Sequence, residues 1–538
     1  WQASVAREQA ALARAQAERA SRVKDFVVSL FSEGERNSRP GDRPRTPLEL
    51  VDGGIVGAQR DLAADPTLQD DVLGDLIEIK VNLGAASAAM PLLDERIAWR
   101  RGHATPGDTR LADALGTKAH ALFQQGRVPD AEPLLDEAIL LLTAARGADS
   151  LAVAEQENRL VRVRFAQSRL EDAEALMREV LRKTELGLGP AHPELALRLN
   201  NLAVLQLRRN RLDEARASLQ RSLAILEAAR GPNHASLAFP LNTLGDLERD
   251  LRNYDSAMMH YTRVEAILGR EYGESDPHYA VALNRLGDVQ RRRRDFSAAR
   301  QTLERALAIQ EHGKFAELGD TYARLGDLAT DQGRLAEAED WFRRAHAFQL
   351  STQGERSVLA WTRLGQVSNA IAAQERYPEA LALRRETTRR LESLGAGAAR
   401  EANGSRFIEG MIERNAGDLD AGIEHQRAAF ASVLAQSSKD DRRLAAFRAQ
   451  LALSLALRGT PADRAEAAAL LAAIDSMEAI ADAGDRAHGV LAAVLLEPAG
   501  EAREAALARF DRLLVEAGPD SVWLARQRAA LPVGSGSP

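Results

Sequence analysis

The sequence predicts an all-α chain of stacked helical hairpins, and three observations carry that prediction. Apolar residues make up 45% of the 538, they are mostly Ala and Leu, and aromatics contribute only 4%, a balance that favours helix. Four segments then align under one another: "LNNLAVLQLRRNRLDEA" from 199, "LNTLGDLERDLRNYDSA" from 241, "LNRLGDVQRRRRDFSAA" from 283 and "YARLGDLATDQGRLAEA" from 322, offset by 42, 42 and 39 residues. Each continues into a second apolar helical pattern, such as "SLQRSLAIL" (218–226) and "QTLERALAI" (301–309), and closes in Gly, Pro and His, as in "RGPNH" (230–234) and "GLGPAHP" (187–193).

Along the chain, residues 2–33 read as one long helix. Val23, Phe26, Val27, Leu30 and Phe31 form its amphipathic stripe. The linker "GERNSRPGDRPRTP" (34–47) breaks it with Pro and Gly. Next, "LELVDGGIVGAQRDLAADPTLQDDVLGDL" (48–76) supplies an entry helix and the start of a first pair. Residues 109–146 keep Gly126, Ala131, Leu135 and Ala138 of the pattern, and 190–354 carry it in full. Residues 355–395 keep Trp361, Leu364, Gly365 and Ala380 with a short insertion. From about 396 the small positions blur, although "LDAGIEHQRAAF" and "RAEAAALLAAI" still read as second helices. Roughly ten pairs follow residue 66, and the tail "GSGSP" is expected to be disordered.

The physical unit is a helix pair. In the four segments a small residue follows Leu, at Leu202-Ala203, Leu244-Gly245, Leu286-Gly287 and Leu325-Gly326, and an Ala stands twelve residues beyond it, at Ala215, Ala257, Ala299 and Ala338. Small residues let two helices approach to the short end of the usual ~8–10 Å spacing. One pair cannot bury its apolar face alone, so pairs stack. The Leu-Gly/Ala, the later Ala and the closing Gly/Pro resemble the tetratricopeptide repeat (TPR), and the long period is similar to the subtype of kinesin light chains. That resemblance implies a TPR helical-hairpin solenoid, a right-handed superhelix, preceded by the long N-terminal helix. We divide the chain into 1–33 (juxtamembrane-like helix), 34–47 (linker), 48–482 (superhelix) and 483–538 (degenerate terminal helices and tail).

In such an array first helices line a concave groove. Spacing of i, i+4 places Asn284, Asp288 and Arg292 on one face, with Asn242, Asp246 and Arg249 on the next helix. Asn200 begins a third row through Val204 and Arg208, and Ala323, Asp327 and Asp331 make a fourth. Two ladders cross the repeats, Asn200–Asn242–Asn284 and Asp246–Asp288–Asp327. An amide offers one donor group and one acceptor, so a row of them suits the backbone of an extended peptide. The resemblance implies that use here, and the aspartates would favour Lys or Arg in the partner. The alternative is structural: intrahelical Asp–Arg pairs, and asparagines that tie neighbouring first helices.

The run Arg291–Arg294 falls at the end of a first helix, where cations meet the unpaired carbonyls. "LRRN" and "RDLR" match it in other repeats, and Asp288 and Asp295 lie near. With a net charge of −7 and no interleaved aromatics, we expect no nucleic-acid partner. There is no Cys, which removes thiolate metal sites and a Cys nucleophile. No Walker loop, G-x-S-x-G or H-E-x-x-H occurs. His192, His234 and His278 recur near the repeat period beside Pro or Gly, which suits turns and caps. We therefore expect no catalytic residue, cofactor or metal in this chain, and no ATP turnover by it. No run approaches eighteen apolar residues, so no membrane span is expected within it.

A second resemblance is more specific. The order "RVKDFVVSLF", "LELVDGGIVGAQRDL", "DPTLQDDVLGDL" resembles the segment joining membrane to repeats in bacterial receptor-type serine/threonine protein kinases. It implies a kinase domain with ATP and Mg, then a membrane span upstream of Trp1, and a periplasmic array here. Trp suits an outer membrane interface. The expected function is that of a protein- or peptide-binding sensor or scaffold on the periplasmic side of the inner membrane, with a dimer through the N-terminal helix. The alternatives are a soluble cytosolic adaptor and the repeat part of a DNA-binding regulator.

Overall fold

The computed structural model describes residues 46–531, apart from 104, 106, 314, 316, 437–442, 475, 477–479, 481–482, 499 and 518–521. The expected helix over 1–33, the linker as far as residue 45 and the "GSGSP" tail lie outside the described residues.

Every regular element among the described residues is helical, and the chain divides into two compact units, Trp1–Leu247 and Glu248–Pro538. In the first, α1 (Pro47–Asp61) starts at a capping box. Thr46 Oγ1 accepts from Glu49 N at 3.2 Å, and Glu49 Oε2 accepts from Thr46 N at 2.8 Å. Pairs follow: α2 (Pro66–Asn82) with α3 (Ala86–His103), α4 (Arg110–Gln124) with α5 (Val128–Arg146), α6 (Leu151–Ala166) with α7 (Leu170–Leu188), and α8 (Pro193–Arg208) with α9 (Leu212–Arg230). The division falls inside α10 (Ala238–Asp250).

In the second unit, α11 (Tyr254–Tyr272) is followed by α12 (Pro277–Arg292) with α13 (Phe296–Gly313), α14 (Leu318–Asp331) with α15 (Leu335–Gln353), and α16 (Val358–Ala373) with α17 (Tyr377–Ser393). Then come α18 (Ala399–Ala416) with α19 (Leu419–Gln436), α20 (Arg443–Arg458) with α21 (Pro461–Ala472), α22 (Ala483–Leu496) with α23 (Glu501–Ala517), and a last helix α24 (Val522–Ala530). The hairpin period therefore continues past 396, where the sequence pattern blurs.

The turns explain the period. Inside each hairpin up to α20–α21 one residue takes a left-handed backbone: Gly84, Gly126, Ser168 and Asn210 in the first unit, then Arg252, Arg294, Gly333, Glu375, Gly417 and Gly459 in the second. Around Asn210, Arg211 N donates to Gln206 O at 2.8 Å and Asn210 N to Leu207 O at 3.1 Å. This is a Schellman ending, which satisfies the last carbonyls of one helix while the next begins. Arg294 repeats it, with Asp295 N donating to Gln290 O at 2.9 Å. The fourth residue of the arginine run is thus a backbone hinge.

Between hairpins, Gly147, Gly189, Gly231 and Gly273 end the second helices, and Ser150, His192, His234 and Asp276 cap the next element. Two of the recurring histidines, His192 and His234, are N-caps, each accepting a backbone N–H on its ring. His278 lies one position inside α12, beside the Asp276 cap.

The core lies between successive pairs. Val161, Ala173, Met177 and Val180 of α6 and α7 pack with Leu195, Leu199 and Leu202 of α8, all buried. Ala299 and Leu303 of α13 pack with Leu325 and Leu328 of α14. Within each unit helices touch sequence neighbours and second neighbours, as a solenoid requires.

Candidate functional site

The first-helix face differs between the two units. In the first, Leu197 on α8 and Phe239 on α10 occupy the same repeat position and are exposed, Phe239 at 61%. Three residues on stand Asn200 and Asn242. Asn200 Oδ1 accepts from Thr243 Oγ1 at 3.0 Å, tying α8 to the next first helix. The carbonyl oxygen of Asn242 is buried with no hydrogen-bond partner. So is that of Asn158 on α6, which continues the ladder one repeat earlier and which the sequence reading missed. Counting back 42 residues from Asn200 would have found it. The signal was masked because Val161 stands where Ala203 and Gly245 mark the later repeats.

Cations on this face rest on aromatic rings. The Arg162 guanidinium lies 4.9 Å from the Phe123 ring centre, and that of Arg208 lies 5.8 Å from Phe165. Neither has a carboxylate within 4 Å among the described residues. A shallow hollow, with room for about one water, opens beside Phe123, lined by His120, Leu135, Arg159 and Arg162. Burial, and after it the charges of Arg162 and Arg159, hold the His120 imidazole below its usual pKa, so it is neutral near pH 7. Ion pairs stitch the helices behind: Arg198 Nη2 to Glu155 Oε2 at 2.6 Å and Arg159 Nη2 to Glu78 Oε1 at 3.0 Å. Asp246 is half-buried near the end of this row.

In the second unit the predicted Asn284 and Asp288 face inward. Asn284, 3% exposed, donates from Nδ2 to Thr321 Oγ1 on α14 at 2.7 Å. Asp288, 4% exposed, accepts from Arg291 at 2.9 Å and from Arg292 at 3.1 Å, with Arg324 of α14 at 3.7 Å. Burial alone would raise the Asp288 pKa, but the three guanidiniums outweigh it and hold the carboxyl well below the usual range. Arg291 also reaches Asp331 across the repeat boundary. Asp327, partly buried, is pushed the other way by desolvation against the pull of Arg291, with Asp288 adding to the rise. Arg249 donates from Nε and Nη2 to Asp250, and Arg292 is the most exposed of this group. Asn284 and Asp288 thus lock successive first helices together, whereas on the first-helix face of the first unit Leu197 and Phe239 stay exposed beside the ring-stacked Arg162 and Arg208.

Further along, polar groups enter the core. Position 384 is Arg where the preceding hairpins carry Leu135, Met177, Leu219, Tyr261, Leu303 and Phe342, all buried. Arg384 is buried as well and donates to Gly365 O at 2.5 Å and to Asn369 Oδ1. Desolvation lowers its pKa to about 10. Glu409 on α18 stands where Leu202, Leu286 and Leu325 stand elsewhere. It and Glu413 are buried and converge with His425 of α19. These three are the described residues able to share a metal ion. No helix among the described residues is long and apolar enough to cross a membrane.

Residues 110–312 match a tetratricopeptide-repeat family model in overlapping copies, and 318–350 match a second model of the same repeat. The hairpins there are tetratricopeptide repeats. No curated protein matches the chain. Among solved structures it is similar to BtubC (BKLC) from P. vanneervenii, at 19% identity over 50% of this chain and 93% of that one, with a TM-score of 0.36. It is also similar to a Rap protein complexed with competence and sporulation factor, at 14% identity over 76% and 100%, with a TM-score of 0.42. A third likeness is to a signal-transduction ATPase with a tetratricopeptide repeat sensor from Pyrococcus horikoshii, at 14% over 64% and 54%, with a TM-score of 0.40.

Proposed function

We propose that this chain is a protein-interaction module that clamps an extended peptide on the first-helix face of its N-terminal unit. The observation that carries the proposal is the pairing of exposed apolar side chains with ring-stacked cations there. Phe239 and Leu197 are exposed, and Arg162 and Arg208 rest on rings with no carboxylate within 4 Å among the described residues. Large exposed apolar residues and aromatics with arginine are the groups that dominate binding energy at interfaces. The amides of Asn158 and Asn242 have an acceptor to spare and gain by turning toward a partner N–H. Such a peptide would carry apolar side chains and Asp or Glu. The aspartates that would have drawn Lys or Arg lie mainly in the second unit, where Asp288 is already neutralised.

Selection of a random displayed peptide library on the full chain tests this. Enriched peptides should be rich in apolar and acidic residues. They should lose at least about tenfold in affinity on Phe239→Ala or Arg208→Ala, with the melting temperature unchanged. Peptides that bind these variants and Asn242→Ala as tightly as the parent would remove the site.

The setting we propose is the periplasmic part of a bacterial membrane serine/threonine protein kinase, with ATP and Mg confined to the kinase domain. The resemblance over residues 22–76 supports it. Coding sequence upstream of Trp1 should contain kinase motifs and one membrane span. A DNA-binding domain there, or a soluble adaptor lacking both, would replace this setting and leave the peptide site untouched.

A further inference from the structure

The α18–α19 hairpin breaks the repeat in three ways at once. Its core position is Glu409 rather than Leu, and its crossing is Gly410 against Gly422 where other hairpins in this unit pair Gly287 with Ala299, Gly326 with Ala338 and Ser368 with Ala380. A Cβ on Gly410 would lie 2.5 Å from Gly422 O, so the two backbones are in direct contact. And an imidazole, His425, has been brought against a buried carboxylate, Nδ1 to Glu413 Oε2 at 2.7 Å.

Glu409 and Glu413 are one turn apart on α18 and both buried, at 6% and 1% exposure. One ligand atom from each, with one from His425, all lie within 4.8 Å of one another. A fourth residue closes the group. Arg385 of α17 donates from Nε to Glu409 Oε1 and from Nη2 to Glu413 Oε1, both at 3.0 Å, and its side chain is 54% exposed. Two buried carboxylates need a cation. An ion pair with Arg385 would meet that need, but it requires neither the imidazole nor a doubled glycine. Each mid-helix Gly costs about 1 kcal/mol relative to Ala, and a buried Glu in a Leu position costs more unless it is compensated. What the three departures share is that they gather two oxygen ligands and one nitrogen ligand at one point.

We propose that Glu409, Glu413 and His425 bind one divalent transition-metal ion of the Zn²⁺ type, with the solvent-facing Arg385 as the cation it displaces. Two carboxylates and an imidazole are a mixed oxygen and nitrogen donor set that suits Zn²⁺ or Co²⁺, whereas Mg²⁺ and Ca²⁺ call for six or more oxygens. Three protein ligands leave a fourth position open to water on the Arg385 side. Bonds near 2 Å in a tetrahedral site set ligand atoms about 3.3 Å apart, so small side-chain shifts have to bring the wider-spaced atoms closer and part the His425–Glu413 contact. The long Arg385 side chain can swing into solvent as they do. The proposal is independent of the peptide site in the other unit.

Titration of the tag-free, chelator-stripped full chain with Zn²⁺, followed by calorimetry, and with Co²⁺, followed by visible absorption, tests it. One equivalent should bind. Arg385→Ala, which removes the competing cation, should bind more tightly than the parent. His425→Ala and Glu413→Gln should weaken binding by more than about tenfold, with circular dichroism confirming that each is folded. Binding to Arg385→Ala alone would also support the ligand set, with Arg385 as its resident occupant. The absence of saturable binding by both the parent and Arg385→Ala overturns the proposal. So does a folded His425→Ala chain that binds as tightly as the parent.

Discussion

Ser168 holds a backbone φ of 61° in the α6–α7 turn, a conformation that Gly126 and Gly333 adopt in equivalent turns. A side chain there crowds its own carbonyl, at a cost of about 1 kcal/mol. Ser168→Gly should therefore raise the stability of the first unit by about 0.5–1 kcal/mol, read as a higher urea midpoint at constant slope. No change would mean that the turn is not held left-handed in solution. The glycine turns were legible in the sequence because Gly announces its own conformation. Arg294 was not, since a run of four arginines draws attention to charge while its last member serves the backbone.

A second residue sets a pH limit. Burial, and after it the nearby Arg414, depress the His488 pKa to about 3. Its unfolded value is about 6.5. The unfolded state then binds the proton first, so stability is full above pH 6.5 and falls as the pH drops toward 3. From pH 7 to 5 the loss should be about 1–2 kcal/mol, and His488→Phe should abolish this component. An unaltered pH profile in that variant would show that the imidazole is solvated.

At the scale of elements, the period was legible wherever small residues cross and Leu fills the gap. It failed where chemistry replaced them. The sequence reading anchors the α16–α17 hairpin on Gly365, three residues too early. Ser368 is the crossing residue, its Oγ donating to Ala380 O at 2.8 Å, with the regular spacing of twelve and no insertion. Gly365 serves a different purpose. A Cβ there would lie 2.7 Å from Arg384 Nη1, so its missing side chain makes room for a buried guanidinium. In α18 the expected Leu is Glu409, and a hydrophobic pattern cannot be read through a carboxylate. The tightest crossing carries the clearest prediction for an element. Gly410→Ala forces α18 and α19 apart and should cost about 1–3 kcal/mol. The matched change in a looser place, Gly404→Ala, has open space around the new methyl and should be neutral or slightly stabilising. Equal effects of the two would deny the close approach.

For the molecule as a whole, stacking of neighbours predicts graded, local stability. The C-terminal unit adds contacts that a pure stack lacks. Glu516, near the end of α23, accepts from Arg252 Nη1 at 3.2 Å, its backbone oxygen accepts from Arg294 Nη2 at 3.2 Å, and it pairs with Arg486. Arg526 of α24 reaches Glu375 at 2.7 Å, and Trp523 lies under the Arg414 guanidinium at 4.8 Å. The last helices thus return to hairpin turns far earlier in sequence, the Glu516 contacts spanning 222 and 264 residues. None of this could be read from spacing, because the contacts join turns that share no repeat motif. Exposed ion pairs are individually weak, so their effect should be on local opening more than on global unfolding. Glu516→Lys sets like charge against Arg252 and Arg486. Hydrogen exchange should then quicken over 501–517 and 522–530 and at the 252 and 294 turns, while α14 and α15, which these contacts do not touch, keep their protection. If exchange in α23 and α24 is already fast in the parent and does not change, the return contacts do not hold the end of the chain. If α14 and α15 loosen as well, the unit opens as one cooperative body and not hairpin by hairpin.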